Sequence, residues 1–115
     1  MGLDALHREV REFCEAREWE QFHSPKDLGV GLVTESSELL EEFRFKDEAE
    51  QLDLLDNPER REAVEAEVAD VFFFLLRFAD LYDIDLEDAL ERKLVENRER
   101  YPVDEYKGSN KKYDE

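Results

Sequence analysis

Two pairs of carboxylates offer the clearest chemistry in the sequence. Glu35 and Glu38 are three positions apart, and so are Glu67 and Asp70. Residues three apart share one face of a helix, so each pair can direct two carboxylates at one point. Apolar residues flank both pairs, and four carboxylates in apolar surroundings stay ionised together only when cations neutralise them. Because an all-oxygen ligand set selects hard ions, the pattern predicts a site for an ion such as Mg²⁺ or Mn²⁺.

The alternative is that these carboxylates belong to a solvated acidic face. The chain holds 33 acidic residues, and others on the same two segments could form similar pairs, namely Glu41, Glu42, Glu62 and Glu65. The metal site requires both proposed pairs to face the interior of a helical bundle, which the spacing alone leaves open.

Helices are the elements that must position these carboxylates. Capping residues and helically spaced apolar side chains predict four helices, which start near Leu3, Ser24, Asn57 and Asp85. The third runs to about Tyr82 and the fourth ends before Pro102. Residues 47–56 are expected to form an acidic connector, and residues 102–115 an extended tail. The pattern predicts an all-α four-helix bundle that forms a single domain over residues 1–115.

Composition and charge exclude several classes of function. The net charge of −17 repels nucleic acid phosphates and argues against binding of a nucleic acid polymer. A single cysteine, Cys14, excludes a disulfide framework and a cysteine-based zinc site. The longest purely apolar run, Val71–Leu76, is too short to span a membrane, and no signal peptide is evident. We therefore expect no membrane partner and a cytoplasmic location.

The charge is distributed unevenly along the chain. Residues 1–91 hold 27 acidic and 9 basic side chains, whereas residues 92–115 hold 6 acidic and 7 basic ones. One interpretation is a solvated tail, which charge counts alone favour. The other is that carboxylates upstream gather cations while Lys and Arg downstream meet an anion.

Four motifs together resemble a known family. They are EWEQFH at 18–23, LVTESSEL at 32–39, EVADV at 67–71 and NRERYP at 97–102. In this order they are similar to motifs of the MazG-like all-α nucleoside triphosphate pyrophosphohydrolases, and most similar to the dCTP pyrophosphatase branch. The resemblance extends over nearly the whole chain.

The resemblance implies a helical bundle that assembles as a homodimer, or as a homotetramer built from dimers. Family members cleave nucleoside triphosphates between the α and β phosphates, releasing the monophosphate and pyrophosphate. For this chain it implies Mg²⁺-dependent hydrolysis of dCTP or a related pyrimidine deoxynucleotide, for control or cleansing of the nucleotide pool. Glu35, Glu38, Glu67 and Asp70 would hold Mg²⁺, or Mn²⁺ in its place, and Glu38 would also take the proton of the attacking water.

The resemblance also implies the nucleotide contacts. On the fourth helix, three residues match positions that meet phosphate and sugar, namely Lys93, Asn97 and Arg100. In the tail, Lys112 and Tyr113 resemble residues that fold over the nucleotide. Positions near the base or sugar are matched by Trp19, His23, Phe45 and Tyr101. Phe74 is placed to line the site. The chain has Phe at positions 45 and 74, where close relatives carry Trp and Tyr.

Several singled-out residues have structural alternatives. Trp19 could plug one end of the bundle, and His23 could merely bond a backbone group. Arg77 could pair with a buried carboxylate or bind phosphate. Gly29 and Gly31 lower the helix propensity of their segment and could permit a close approach of two helices.

Two other functional classes fit parts of the pattern. A di-iron carboxylate oxidase would need a Glu-x-x-His motif on each of two helices, which Glu20–His23 matches and Asp4–His7 matches loosely. Against it, Glu20–His23 runs directly into the helix start at Ser24, and the two acidic pairs contain no histidine. A non-catalytic acidic oligomerisation module is the remaining alternative, and it predicts neither nucleotide turnover nor stabilisation by metal.

Overall fold

The computed structural model describes all 115 residues, and it is all-helical, as the sequence predicts. It contains six α-helices and one short 3₁₀ helix. In chain order they are α1 (Leu3–Ala16), the 3₁₀ helix (Trp19–Phe22), α2 (Pro25–Glu41), α3 (Glu48–Asp56), α4 (Pro58–Leu81), α5 (Leu86–Arg100) and α6 (Val103–Tyr106). No helix combines the length and the apolar character that crossing a bilayer requires.

The predicted helix starts are confirmed by their caps. The Ser24 hydroxyl accepts a hydrogen bond from the Asp27 backbone N–H at 3.1 Å, with proline in the first position of α2. Asn57 caps α4 in the same way, and Asp85 caps α5. Each cap satisfies a backbone donor that the first helical turn leaves without a partner.

Two sequence predictions about irregular segments were wrong. The expected acidic connector over residues 47–56 contains the helix α3, which a full capping box starts. In that box the Glu50 N–H donates to Asp47 at 2.8 Å, and the Asp47 N–H donates to Glu50 at 3.3 Å. The tail is not wholly extended, since residues 103–106 form the short helix α6. The fold therefore has six helices where four were expected.

The first compact unit comprises Met1–Tyr82, and α4 is its central helix. Helices α1, α2 and α3 all pack against α4. The buried apolar side chains come from each of these helices and are Cys14, Leu28, Leu54, Val64, Leu76 and Ala79. At one edge of this unit the Arg11 Nε donates to Asp80 at 2.9 Å and ties α1 to α4.

A glycine allows α2 and α4 to approach closely. A Cβ atom at Gly31 would lie 2.4 Å from the ring of Phe74 on α4, a distance that no side chain tolerates. A Cβ atom at Gly29 would meet nothing within 4 Å. The prediction of a glycine-dependent helix contact is thus confirmed for Gly31 and wrong for Gly29.

The second compact unit comprises Asp83–Glu115 and holds α5, α6 and the tail. Here the tail turns back on itself: the Tyr106 hydroxyl donates to the Tyr113 carbonyl at 3.1 Å, and the Tyr113 N–H donates to the Tyr101 hydroxyl at 3.3 Å. No residue of α5 is buried. The expected single domain over 1–115 stays a prediction.

Candidate active site

Three carboxylates from two helices converge in the first unit. Glu35 and Glu38 come from α2 and Glu67 from α4, and one oxygen of each lies within 4.8 Å of the others. The i, i+3 spacing on α2 supplies two of them, and the packing of α2 against α4 brings in the third. Asp70, one turn further along α4, lies outside this group of three.

The cluster is electrostatically strained. One oxygen of Glu35 and one of Glu67 are buried without any hydrogen-bond partner. Burial raises the pKa of Glu35 to about 7, and the adjacent Glu38, Asp70 and Glu67 carboxylates add to the rise. Burial likewise raises the pKa of Glu67, with Glu38 and Asp70 contributing. Asp70 therefore acts on the cluster through its charge.

The neighbouring acidic residues behave differently, which separates the two interpretations of the acidic pattern. Glu41 pairs with Arg44 at 3.3 Å, Glu42 lies 3.8 Å from Arg60, and Glu65 pairs with Arg61 at 3.2 Å. Glu62 is exposed. Three of these residues pair with basic side chains and Glu62 is open to solvent, whereas no basic side chain pairs with the cluster of three.

The cluster fits a hard divalent cation. All its donors are carboxylate oxygens, which Mg²⁺ and Mn²⁺ prefer. The unpartnered buried oxygens of Glu35 and Glu67 are groups whose desolvation a bound cation would offset.

Trp19 and His23 lie close together in the same unit. The Trp19 ring packs edge-to-face on Phe13 at 5.5 Å, and its centroid is 6.3 Å from the His23 ring. Trp19 is 37% exposed, so it is an incomplete plug and leaves part of its ring open to solvent.

Arg77 is the residue that the sequence analysis placed least well. Its side chain is 1% exposed, and its Nε donates to Nδ1 of His23 at 3.0 Å. Its Nη2 is buried without a partner. The structure gives Arg77 no bonded carboxylate, and phosphate binding by Arg77 stays a prediction. The bond to His23 could not be found from the sequence, because the 54 positions between the two residues carry no local signal.

The other two aromatic residues of the first unit that were predicted to lie in the site have contrasting environments. Phe45 is 90% exposed at a positive φ of 63°, with the Arg44 guanidinium 4.5 Å from its ring centre. Phe74 is half-buried and packs against the bare backbone of Gly31. A ring as exposed as that of Phe45 is available for stacking, and Phe74 lines the gap between α2 and α4.

Two cations of α5 share one counter-ion. Glu96 accepts from Lys93 at 3.2 Å and from Arg100 at 2.7 Å, and these two bonds lower the pKa of Glu96. Asn97 is half-buried on the same helix. The predicted phosphate-binding face is therefore already neutralised in part by a residue that the sequence analysis did not single out.

The tail residues gather around Tyr113. The Arg100 guanidinium lies 4.6 Å from the centre of its ring, and the Tyr101 ring packs edge-on at 6.0 Å. Lys112 is exposed, 3.8 Å from Asp114. The second unit thus brings Arg100, Tyr101 and Tyr113 together.

Comparison with known proteins identifies the family of the chain. Residues 32–115 match the MazG-like family. The chain is 40% identical over 111 residues to dCTP pyrophosphatase 1 of Rattus norvegicus and 37% identical over 113 residues to dCTP pyrophosphatase 1 of Homo sapiens. These alignments cover 96% and 98% of this chain but 65% and 66% of the relatives, so the chain spans slightly less than two thirds of their length.

A solved structure has a similar fold. The fold is similar to that of a pyrophosphatase from Archaeoglobus fulgidus, with a TM-score of 0.81 and 36% sequence identity, over 86% of this chain and 91% of that one. The family match covers more than half of the chain, and the solved pyrophosphatase shares both its fold and 36% of its sequence, so the chain belongs to the MazG-like family.

Proposed function

We propose that this chain is a nucleoside triphosphate pyrophosphohydrolase. The single observation that carries the proposal is the cluster of Glu35, Glu38 and Glu67, which holds two buried, unpartnered carboxylate oxygens on a MazG-like scaffold. Relatives that are dCTP pyrophosphatases support it, and so does the similarity to a solved pyrophosphatase. The products are the nucleoside monophosphate and pyrophosphate.

In this proposal Glu35, Glu38 and Glu67 hold Mg²⁺, with Mn²⁺ as a substitute, and Asp70 completes the set or adds its charge. When bound, the ion neutralises triphosphate charge and polarises the phosphorus under attack. The half-buried Glu35 and Glu67 anchor the site, while Glu38 is exposed and open to the substrate side.

Glu38 is the proposed general base. It takes the proton of the water whose oxygen bonds to the α phosphorus, and the bond from that phosphorus to the bridging oxygen breaks, so that pyrophosphate leaves. The exposure of Glu38 suits this role, because a base must reach a water molecule beside the substrate. Glu35 suits it less, because it is half-buried and one of its oxygens is closed to solvent.

The nucleotide is bound by the remaining residues of the proposed site. Phosphate and sugar contacts are assigned to Lys93, Asn97 and Arg100, and closure over the nucleotide to Lys112 and Tyr113. The base or sugar is assigned to Trp19, His23, Phe45, Phe74 and Tyr101. Exposed aromatic rings stack on any base, so they supply affinity more than selectivity. The names of the curated relatives favour dCTP, or a related pyrimidine deoxynucleotide, as the substrate.

A panel of nucleoside triphosphates with Mg²⁺, scored for pyrophosphate release, tests the function. We expect release with dCTP or another pyrimidine deoxynucleotide, and none in excess EDTA. Release of orthophosphate instead of pyrophosphate would contradict cleavage between the α and β phosphates. An oxo-bridged absorption band after Fe²⁺ and oxygen would instead favour the di-iron oxidase. The absence of both turnover and metal stabilisation would favour the oligomerisation module.

We further propose that the chain assembles as a homodimer or as a tetramer of dimers. On α4, three large apolar side chains remain open to solvent in the single chain: Val68 is 50% exposed, and Phe72 and Leu75 are each 39% exposed. A second copy would bury such residues. Light scattering at micromolar concentration should give at least twice the mass of one chain, and a monomer would overturn this proposal.

A further inference from the structure

Arg77 is a buried cation whose main partner is a neutral ring. It lies on α4 with 1% of its surface exposed, and its Nε donates to Nδ1 of His23 at 3.0 Å. His23 follows the 3₁₀ helix directly, so this bond joins the segment before α2 to the central helix of the first unit. His23 is also fixed through its backbone, because the Tyr82 hydroxyl donates to its carbonyl oxygen at 2.6 Å.

The bond dictates where the imidazole carries its proton. A guanidinium has only donors and keeps its charge at every relevant pH, so the nitrogen that it faces must accept. Nδ1 of His23 is therefore unprotonated, and the single ring proton of the neutral imidazole resides on Nε2. A proton on Nδ1 would bring two donors, one of them cationic, into direct opposition.

The other groups around His23 do not reverse this preference. Glu20, on the 3₁₀ helix, is the acidic residue near enough to favour the charged ring, but burial and the Arg77 charge outweigh it and lower the pKa of His23. The Tyr82 hydroxyl donates its hydrogen bond to the His23 carbonyl oxygen and none to the imidazole ring. No group of the chain bonds Nε2, and Nε2 is not among the buried atoms without partners, so it is open to solvent.

The arrangement costs stability, which argues for a role beyond packing. A buried guanidinium without a bonded carboxylate carries a desolvation cost, and the Nη2 of Arg77 has no partner at all. The nearest compensation is Asp80 on α4, yet its carboxylate is bonded to Arg11. An apolar side chain in this position would fill the core without that cost.

We propose that Arg77 is a positioning residue that locks His23 as the neutral Nε2–H tautomer. His23 then presents one fixed hydrogen-bond donor to an acceptor oxygen or nitrogen of the bound nucleotide. The lock is a property of the free protein, whereas the role toward the nucleotide rests on the proposed function. Base recognition through this donor changes little with pH near neutrality, because the ring stays uncharged.

Nitrogen-15 NMR of the metal-free, nucleotide-free protein tests whether His23 is held as the Nε2–H tautomer, and it needs no activity assay. The chain has only two histidines, so the spectrum of His7→Asn assigns the His23 signals. We expect the shifts and long-range proton couplings of the neutral Nε2–H tautomer at pH 7, with no ring protonation until well below pH 6.5. An Nδ1–H or charged ring at pH 7 would overturn the proposal, independently of any measured activity.

Variants of Arg77 test the cause. Arg77→Met keeps a long apolar stem without a donor, and we expect a mixture of tautomers and a His23 titration at higher pH. Arg77→Lys keeps a donor and should restore much of the Nε2–H form. Arg11→Met is the matched control, since it removes an arginine bonded to Asp80 but leaves the Arg77–His23 bond. If the His23 tautomer were unchanged in both Arg77 variants, Arg77 would have only a structural role and would not fix the tautomer.

Kinetics with dCTP then test the donor. His23→Gln keeps an N–H group near the position of Nε2, whereas His23→Asn is too short to reach it. We expect KM to rise about tenfold or more in His23→Asn and less in His23→Gln, with kcat nearly unchanged in both, because a lost hydrogen bond to substrate weakens binding. Equal effects of Asn and Gln, or a loss confined to kcat, would contradict the donor role while leaving the tautomer result intact.

Discussion

Two charge clusters of this molecule are built in opposite ways. On α2 and α4, three carboxylates converge with no basic partner, and two of their oxygens are buried and unbonded. On α5, Lys93 and Arg100 share Glu96, and all three side chains are 39–53% exposed. The first cluster has no counter-charge of its own, whereas the second is neutralised in part within its own helix.

The difference indicates what each cluster needs. Like charges that lie close together and partly buried raise the free energy of the folded chain until a cation joins them, so in the proposed site a single cation would affect both stability and catalysis. Exposed opposite charges contribute little to stability, because water and salt screen them. The first cluster should therefore respond strongly to mutation and metal, and the second weakly.

The largest expected effect is on turnover. Glu35→Gln, Glu38→Gln and Glu67→Gln each remove a charge from the unpaired cluster and should lower pyrophosphate release about a hundredfold or more, since each factor of ten is ~1.4 kcal/mol of barrier. Asp70→Asn should reduce it by less, because Asp70 lies outside the group of three. Steady-state assays with dCTP and Mg²⁺ measure these rates.

Matched controls come from acidic residues of the same helices that lie outside the cluster. Glu41→Gln changes a carboxylate bonded to Arg44, and Glu62→Gln an exposed one, on the same two helices. Both should keep nearly full activity, and all six variants should remain folded by circular dichroism. If the controls lost as much activity as the cluster variants, the distinction between the two kinds of acidic residue would collapse.

The next effect is on thermal stability. Divalent metal should raise the melting temperature by several degrees, because a ligand at about 100 times its Kd adds ~2.7 kcal/mol to the folded state. Calorimetry with Mg²⁺, and with NaCl of matched ionic strength, separates binding from general screening of the −17 charge. Glu35→Gln should lose most of the Mg²⁺-specific shift, whereas equal shifts from both salts would leave no specific site.

A smaller effect concerns pH. The pKa of Glu35 is about 7 in the folded, metal-free chain against 4.5 ordinarily, so the folded state binds that proton more tightly than the unfolded state. The contribution is present below pH 4.5 and is lost as pH rises toward 7, so stability in EDTA should fall over this interval. Melting curves should show a shallower fall for Glu35→Gln, while Glu62→Gln keeps the wild-type slope.

The smallest effect is expected on α5. Glu96→Gln breaks both ion pairs of the exposed cluster, and we expect little change in the free energy of unfolding. The same change releases Lys93 and Arg100, so KM for dCTP should fall. Urea titration and steady-state kinetics measure the two quantities, and a large loss of stability would show that the pairs are structural.

Local signals allowed much of this to be predicted. The starts of α2, α4 and α5 follow from Ser24, Asn57 and Asp85, because caps act within one turn. The i, i+3 spacing placed Glu35 with Glu38, and only their meeting with Glu67 required the packing of two helices. The same kind of local signal was overlooked at α3, where Asp47 and Glu50 form a capping box.

What could not be predicted depends on contacts between distant segments. His23 and Arg77 are 54 positions apart, and their hydrogen bond arises only when the segment before α2 meets the centre of α4. The position of Asp70 outside the group of three likewise shows only in the folded chain. Periodicity places a residue on a face but does not give the direction of its side chain there.

Because glycine has no side chain, Gly31 lets α2 and α4 approach closely beside the proposed metal site. Gly31 lies one turn before Glu35 on α2, and a methyl group there would come within 2.4 Å of the Phe74 ring. An alanine would force the ring or the helix to move, and a displaced α2 would carry Glu35 and Glu38 away from Glu67. Wider oxygen cages suit Ca²⁺, whose ligands lie at about 2.3–2.6 Å, better than Mg²⁺, whose ligands lie at about 2.0–2.1 Å. In the proposed site, Gly31 would thus favour the smaller ion by allowing the close approach of α2 and α4, although it is not one of the proposed ligands.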